Sequence, residues 1–284
     1  MKSRLIVNLI LLAALVALGL YVYLRPESET APDSAITTLK REQVDRIRVE
    51  RRGSPTIELD KRGGEWYLRA PFKTRADVFQ VDRLLDVAAA TSKQKLPRTD
   101  LARFELDPPR VVVTLNDQSF AFGAVNEVTN EQYMALGDAV YLVPPYLGYG
   151  IPTDASKLIS HRLLGPGEAP SGFDFGRWKA IKDGQGKWSL SGALPRQDAL
   201  SQDDLNRWAD EWKIVSSLAA EPHRGARARE RVSVRLGADK AIVFEILARE
   251  PEVRLLRTDE NVLYKLGAEA GRRLLDPWAV AEKT

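Results

Sequence analysis

The feature that most restricts what this chain can fold into is a set of motifs that occurs twice in the same order. Thr74-Arg-Ala-Asp77, followed by Val78, Val81, Leu85 and Ala88, returns as Ser201-Gln-Asp-Asp204, followed by Leu205, Trp208, Trp212 and Val215. The offset is a constant 127 residues. The hydroxyl and carboxylate that open each motif fit a capping box, and the apolar positions behind them share one helix face. Upstream, Gly64-Glu-Trp66-Tyr-Leu68 matches Gly186-Lys-Trp188-Ser-Leu190. Downstream, Arg110-Val111, Val113 and Leu115 match Arg231-Val232, Val234 and Leu236, with Asn116-Asp117 and Gly237-Ala238 as the turns that follow. Phe120 and Phe122 then match Ile242 and Phe244. Each set closes on a similar signature, His161-Arg-Leu-Leu-Gly-Pro166 or Arg272-Arg-Leu-Leu-Asp-Pro277. The offset lies between 121 and 127 as far as Phe122 and is 111 at the closing signature, as loop insertions and deletions make it do, and the order predicts internal duplication.

Before the first predicted helix, apolar residues alternate at Ile47 and Val49, Ile57 and Leu59, and Trp66 and Leu68. Gly53-Ser54-Pro55 and Gly63-Gly64 separate them, the pattern of short antiparallel strands joined by tight turns. Each repeat therefore reads as three strands, a helix and a four-stranded meander. The helix is expected to lie on a curved antiparallel sheet, an α+β arrangement. The expected organisation is a first repeat over residues 37–164, a Gly/Pro linker over 165–172 and a second repeat over 173–284.

Ahead of the repeats, residues 5–24 (LIVNLILLAALVALGLYVYL) are apolar except for Asn8. Twenty residues of helix span about 30 Å, the thickness of a bilayer's hydrocarbon core. Lys2 and Arg4 precede the run, and no basic residue lies in the ten that follow Arg25. By the positive-inside rule, residues 1–25 form a cytoplasmic tip and transmembrane signal anchor, and 26–36 a flexible tether. The chain is expected to be a single-pass protein of a bacterial inner membrane with residues 26–284 in the periplasm. The formal charge of +3 arises wholly from Lys2, Arg4 and Arg25, leaving 39 basic residues against 39 acidic ones. So neutral a body carries no whole-domain footprint for nucleic acid. The absence of cysteine excludes disulfides, a thiolate nucleophile and Cys-ligated zinc.

No catalytic, cofactor-binding or metal-binding residue is assigned. The two histidines, His161 and His223, lie in no nucleophile-elbow or metal-ligand pattern. The tryptophans read as core, with Trp178 and Trp278 the better suited to an exposed stacking platform. Contact with a partner or lipid is expected at the basic run containing Arg224, Arg227 and Arg229, and at the aromatics Tyr146 and Tyr149.

The Gly-Glu-Trp66-x-Leu strand with its capped helix, Phe104-Glu-Leu-Asp-Pro-Pro-Arg110, Val140-Tyr-Leu-Val143 and His161-Arg-Leu-Leu164 complete a pattern with the apolar N-terminus. Over nearly the whole chain it resembles the bacterial domain of unknown function 4340 family. That resemblance implies a single-pass envelope protein, often encoded beside ABC-transporter components. The leading expectation is a non-enzymatic periplasmic binding or scaffold protein, partnered with ABC-transporter or other envelope-complex subunits. The alternatives are an envelope hydrolase acting on glycan or peptide, and a binder of a small ligand in the cleft between repeats.

Overall fold

The computed structural model describes residues 2–23, 33–237 and 240–281, and the side chains of residues 2–10, 22 and 23 are not described. The basic flanks Lys2, Arg4 and Arg25, Asn8, the tether over residues 26–32 and the turn at Ala238 lie outside the described residues or side chains. The helices are α1 (Lys2–Tyr23), α2 (Val78–Leu85), α3 (Tyr146–Tyr149), α4 (Gln202–Ile214), α5 (Ala268–Leu275) and α6 (Trp278–Ala281).

The chain is mostly β-structure, in three antiparallel sheets with a few short helices packed on them. The α+β expectation is corrected accordingly. Strands β1 (Ser34–Ala35) and β6 (Thr91–Ser92) form a two-stranded sheet. The first large sheet contains β2 (Arg46–Arg51), β3 (Ile57–Arg62), β4 (Glu65–Ala70), β5 (Thr74–Arg75) and β7 (Lys95–Pro97). It also contains β8 (Val111–Leu115), β9 (Gln118–Asn126), β10 (Glu131–Leu136) and β11 (Ala139–Val143). The second contains β12 (Gly172–Asp174), β13 (Trp178–Lys182), β14 (Trp188–Gly192) and β15 (Ala219–Pro222). Strands β16 (Arg231–Leu236), β17 (Lys240–Ala248), β18 (Val253–Arg257) and β19 (Val262–Leu266) complete it. Several strands that make the chain β-rich, among them β1, β5, β6 and β7, are only two or three residues long. A stretch that short shows no period.

The first large sheet runs β5-β4-β3-β2-β8-β9-β10-β11-β7, the second β14-β13-β12-β16-β17-β18-β19-β15. Apart from β5, the orders coincide position by position. The long strands β9 and β17 each break register against the next strand, by a bulge that bends the sheet.

The membrane anchor is also corrected. Helix α1 exists, but among the described residues no helix is long and apolar enough to cross a membrane. That finding overturns the transmembrane segment placed over residues 5–24 and the inner-membrane location with a periplasmic body drawn from it.

The two main helices start differently. Ser201 caps α4 in a reciprocal box with Asp204, as its motif requires. Thr74, at the matching position, does not cap α2. It stays extended in β5, opposite Leu68, and Asp77 takes over by accepting from the Gln80 N–H at 3.1 Å. Helix α2 therefore begins three residues later than its counterpart, because β5 intervenes.

Both helices bury an apolar face in one continuous core that includes residues of both large sheets. All six tryptophans are buried. Phe173 packs against Trp208 and Trp212, with ring centroids 4.3 and 5.3 Å apart. Trp178 stacks on Phe175 at 4.3 Å, so neither it nor the buried Trp278 offers an open stacking platform. In α5, a Cβ on Gly271 would lie 2.2 Å from Val253 Cγ2. We predict that Gly271→Ala, though favourable for helix propensity, lowers unfolding free energy by about 1–3 kcal/mol through overpacking. Gly167→Ala, where a Cβ meets nothing within 4 Å, changes it little in the same denaturant titration.

Candidate functional site

The two large sheets meet along one short segment. Beyond β11 the chain crosses α3 and a 3₁₀ turn, Ala155–Leu158, then runs extended into the His161-Arg-Leu-Leu164 signature. On one side it pairs with the chain leaving β5: Ser160 donates to the Arg75 carbonyl at 3.0 Å and Asp77 to the Leu158 carbonyl at 2.8 Å. On the other, Ser217 donates to the His161 carbonyl at 2.9 Å, and Arg162 bridges Ser216 just ahead of β15. Residues 158–162 thus join the extra edge strand of the first sheet to the edge of the second.

Behind this seam lies a buried ion network. Arg257 closes β18 with its side chain only 2% exposed. It donates to both Glu168 oxygens at 2.7 and 2.9 Å, to both Asp259 oxygens at 3.0 Å, and to the Leu163 carbonyl at 2.8 Å. Arg75 donates to Glu260 at 2.6 Å, to the Arg162 and Leu163 carbonyls at 2.9 and 3.1 Å, and to the Tyr264 hydroxyl at 3.1 Å. Two guanidinium groups, one from each sheet, therefore share the Leu163 carbonyl. At the matching place in the second signature, the Leu274 carbonyl accepts two indole N–H groups, from Trp208 at 2.9 Å and Trp212 at 3.1 Å.

Pairing outweighs burial in this network. Burial alone would raise the Glu168 pKa, but the hydrogen bonds from Arg257 and the Gly165 N–H hold it at about 2. Burial disfavours the charge on Arg75 and Arg257, yet Glu260 for the first and Glu168 and Asp259 for the second raise both above the usual arginine value. Burial, reinforced by the Glu260 charge, raises the Tyr264 phenol. With ordinary phenols titrating only near pH 10, Tyr264 stays neutral across the physiological range.

A cleft of about 520 Å³ opens over the seam. One wall comes from the start of β4 and the start of α2: Glu65, Trp66, Asp77, Val78 and Phe79. The other comes from the joining segment and its neighbour: His161, Arg162, Leu164, Pro166 and Ser216. Arg75 lines it as well, its charge already paired inside. Phe79 is 76% exposed and Val78 is exposed beside it. The exposed Ile214 and Leu218 flank Ser216. His161 places Nδ1 2.9 Å from the Ser217 carbonyl, which can only accept, so Nδ1 carries a proton. Among the described residues, no group of three or more His, Asp or Glu side chains lies close enough to hold a metal ion.

The residues expected at a contact surface are dispersed. Arg224 lines a second hollow, about 610 Å³, with Phe72, Asp154 and His223. Arg227 is spent on Glu245 at 3.7 Å and Asn261 at 3.4 Å. Arg229 lines a third hollow beside Asp174 and Lys179. Tyr146 and Tyr149 lie exposed on α3 and line none of these hollows. The cleft residues Val78, Phe79 and Arg162 and the network residues Arg75, Glu168, Arg257 and Glu260 were not anticipated as a site. One signal for Arg257 was present: it follows Val253 and Leu255 at the inward spacing of β18, where an apolar residue is expected.

Truncating one partner of such a network leaves the other charge buried and unpaired. We predict that Arg257→Ala lowers unfolding free energy by about 3–5 kcal/mol in denaturant titration. Glu168 has a folded pKa below its unfolded value, so its stabilisation is present above the ordinary glutamate pKa and is lost as pH falls towards about 2. Melting temperatures measured from pH 6 to pH 2 should therefore fall less steeply for Glu168→Gln than for the unaltered protein.

Among known families, residues 66–222 match the one described as Domain of unknown function (DUF4340), and the chain belongs to that family. The match begins at Trp66 in β4 and ends at Pro222 in β15, less than the nearly full-length likeness expected. No curated protein and no solved structure matches the chain.

Proposed function

We propose that this member of the family is a binding or scaffold protein without catalysis of its own, and that its docking site is the cleft over the seam. The observation that carries this reading is the exposed apolar rim. Phe79 and Val78 stand in solvent at the mouth of a concave site, backed by Trp66, Leu164 and Pro166. Large apolar side chains clustered around a concavity mark interaction sites more often than scattered ones do. The charges beneath are committed to one another, which favours a rigid platform over a site that moves protons. The same reading takes the two large sheets as copies of one unit, supported by their common strand order. The transport-complex role implied by the family resemblance supplies one candidate source for the occupant.

The test is site-specific photo-crosslinking in cells. A crosslinking side chain at Phe79 should capture a discrete partner, whereas one at the exposed Arg69 on β4 should not. Equal capture at both positions, or none at Phe79, would contradict the reading.

A further inference from the structure

The charges around the cleft narrow the chemistry of its occupant, given the reading that the cleft is the binding site. On the first wall are two carboxylates, Glu65 and Asp77, and among the described residues neither forms an ion pair. Glu65 accepts only from the Tyr67 hydroxyl, at 3.3 Å, and Asp77 from the Gln80 N–H, at 3.1 Å. Each keeps lone pairs free. On the second wall is Arg162, exposed, with one donor directed to the Lys213 carbonyl at 3.3 Å and no carboxylate partner among the described residues. Its remaining N–H groups are available. Between them lie the apolar and aromatic Trp66, Ala76, Val78, Phe79, Leu164 and Pro166, with Ser160, His161, Ser216 and the already paired Arg75 as the other polar lining residues.

We infer that the cleft takes a short apolar peptide with free termini. Its carboxylate would meet Arg162, its ammonium group Glu65 and Asp77, and a branched or aromatic side chain the apolar wall between them. A purely anionic ligand would face two carboxylates, and a purely cationic one would face the guanidinium. A wholly apolar ligand would desolvate all three charges without pairing them. A zwitterion with an apolar body satisfies both walls, and a volume of about 520 Å³ is in the range of small-ligand sites. The side chains of Arg162, Glu65 and Phe79 have no part in the buried network, which Arg162 enters only through its backbone carbonyl, so replacing these side chains tests binding while leaving the network's own bonds in place.

Isothermal titration of the full chain with two probes tests this. One is a tripeptide of leucine and phenylalanine with free termini, the other the same tripeptide acetylated and amidated. The free peptide is expected to bind at least about tenfold more tightly than the blocked one, as loss of a charge-assisted hydrogen bond implies. Arg162→Gln should remove about tenfold from the free peptide and leave the blocked one unchanged, while Phe79→Ser weakens both. Equal affinity for the two peptides would overturn the zwitterion assignment and leave the cleft standing as a binding site. Equal binding to unaltered protein and to Phe79→Ser would overturn the placement in the cleft. Absence of binding by both peptides would overturn the inferred ligand class, and the crosslinking at Phe79 separately decides whether the cleft binds a partner at all.

Discussion

The Leu163 carbonyl is the atom on which the arrangement of the two large sheets depends. It lies on the segment that pairs with both sheet edges, and it accepts one guanidinium from each side, Arg75 at 3.1 Å and Arg257 at 2.8 Å. A backbone carbonyl cannot neutralise two cations. Glu260 and Glu168 therefore have to lie against them, and Asp259, Thr74 and Tyr264 supply the remaining bonds. Desolvating so many charges is costly, and only geometry that satisfies each of them makes it tolerable. The result fixes position more than it adds stability. The guanidinium forks have few directions in which to bond, so the joining segment has one place to lie.

Comparison with the second signature shows what is particular to the junction. Leu274 occupies the place of Leu163, and its carbonyl also takes two donors, but these are the neutral indoles of Trp208 and Trp212, both from α4. There the carbonyl belongs to α5 and ties α4 to that helix, inside an apolar core where neutral donors carry no desolvation cost for charge. At Leu163 the donors come from strands of different sheets, and the charged version appears. The cleft is a consequence: β5 ends after two residues, α2 starts at Val78, and the gap between that turn and the joining segment stays open above the network.

Much of the β-structure is visible as alternation, because a strand with one buried face must alternate. Ile47 and Val49, or Val232 and Val234, are inward residues in a pattern that reads directly. What was illegible has physical causes. Strand β5 has two residues, both buried, and no period, so Thr74 looked like a helix cap when it belongs to a sheet edge. The five ions of the network come from three separate places in the sequence, Arg75, Glu168 and the run holding Arg257, Asp259 and Glu260, and a charged residue taken alone reads as solvated. Only the inward register of Arg257 hinted otherwise. Val78 is expected on the apolar helix face with Val81 and Leu85 but lies exposed beside Phe79, because β5 shifts the helix start in a way that no local pattern encodes.

The central claim is that the seam is a structured part of the fold and not a linker between independent sheets. Native-state hydrogen exchange at the amides of Asp77, Ser160 and Ser217 measures this most directly, since each donates across the seam. The account predicts protection approaching that of the central strand amides of Val113 and Val234. Exchange as fast as in the exposed turn at Gln185, with the central strands still protected, would show that the sheets are joined only by the chain and would contradict it.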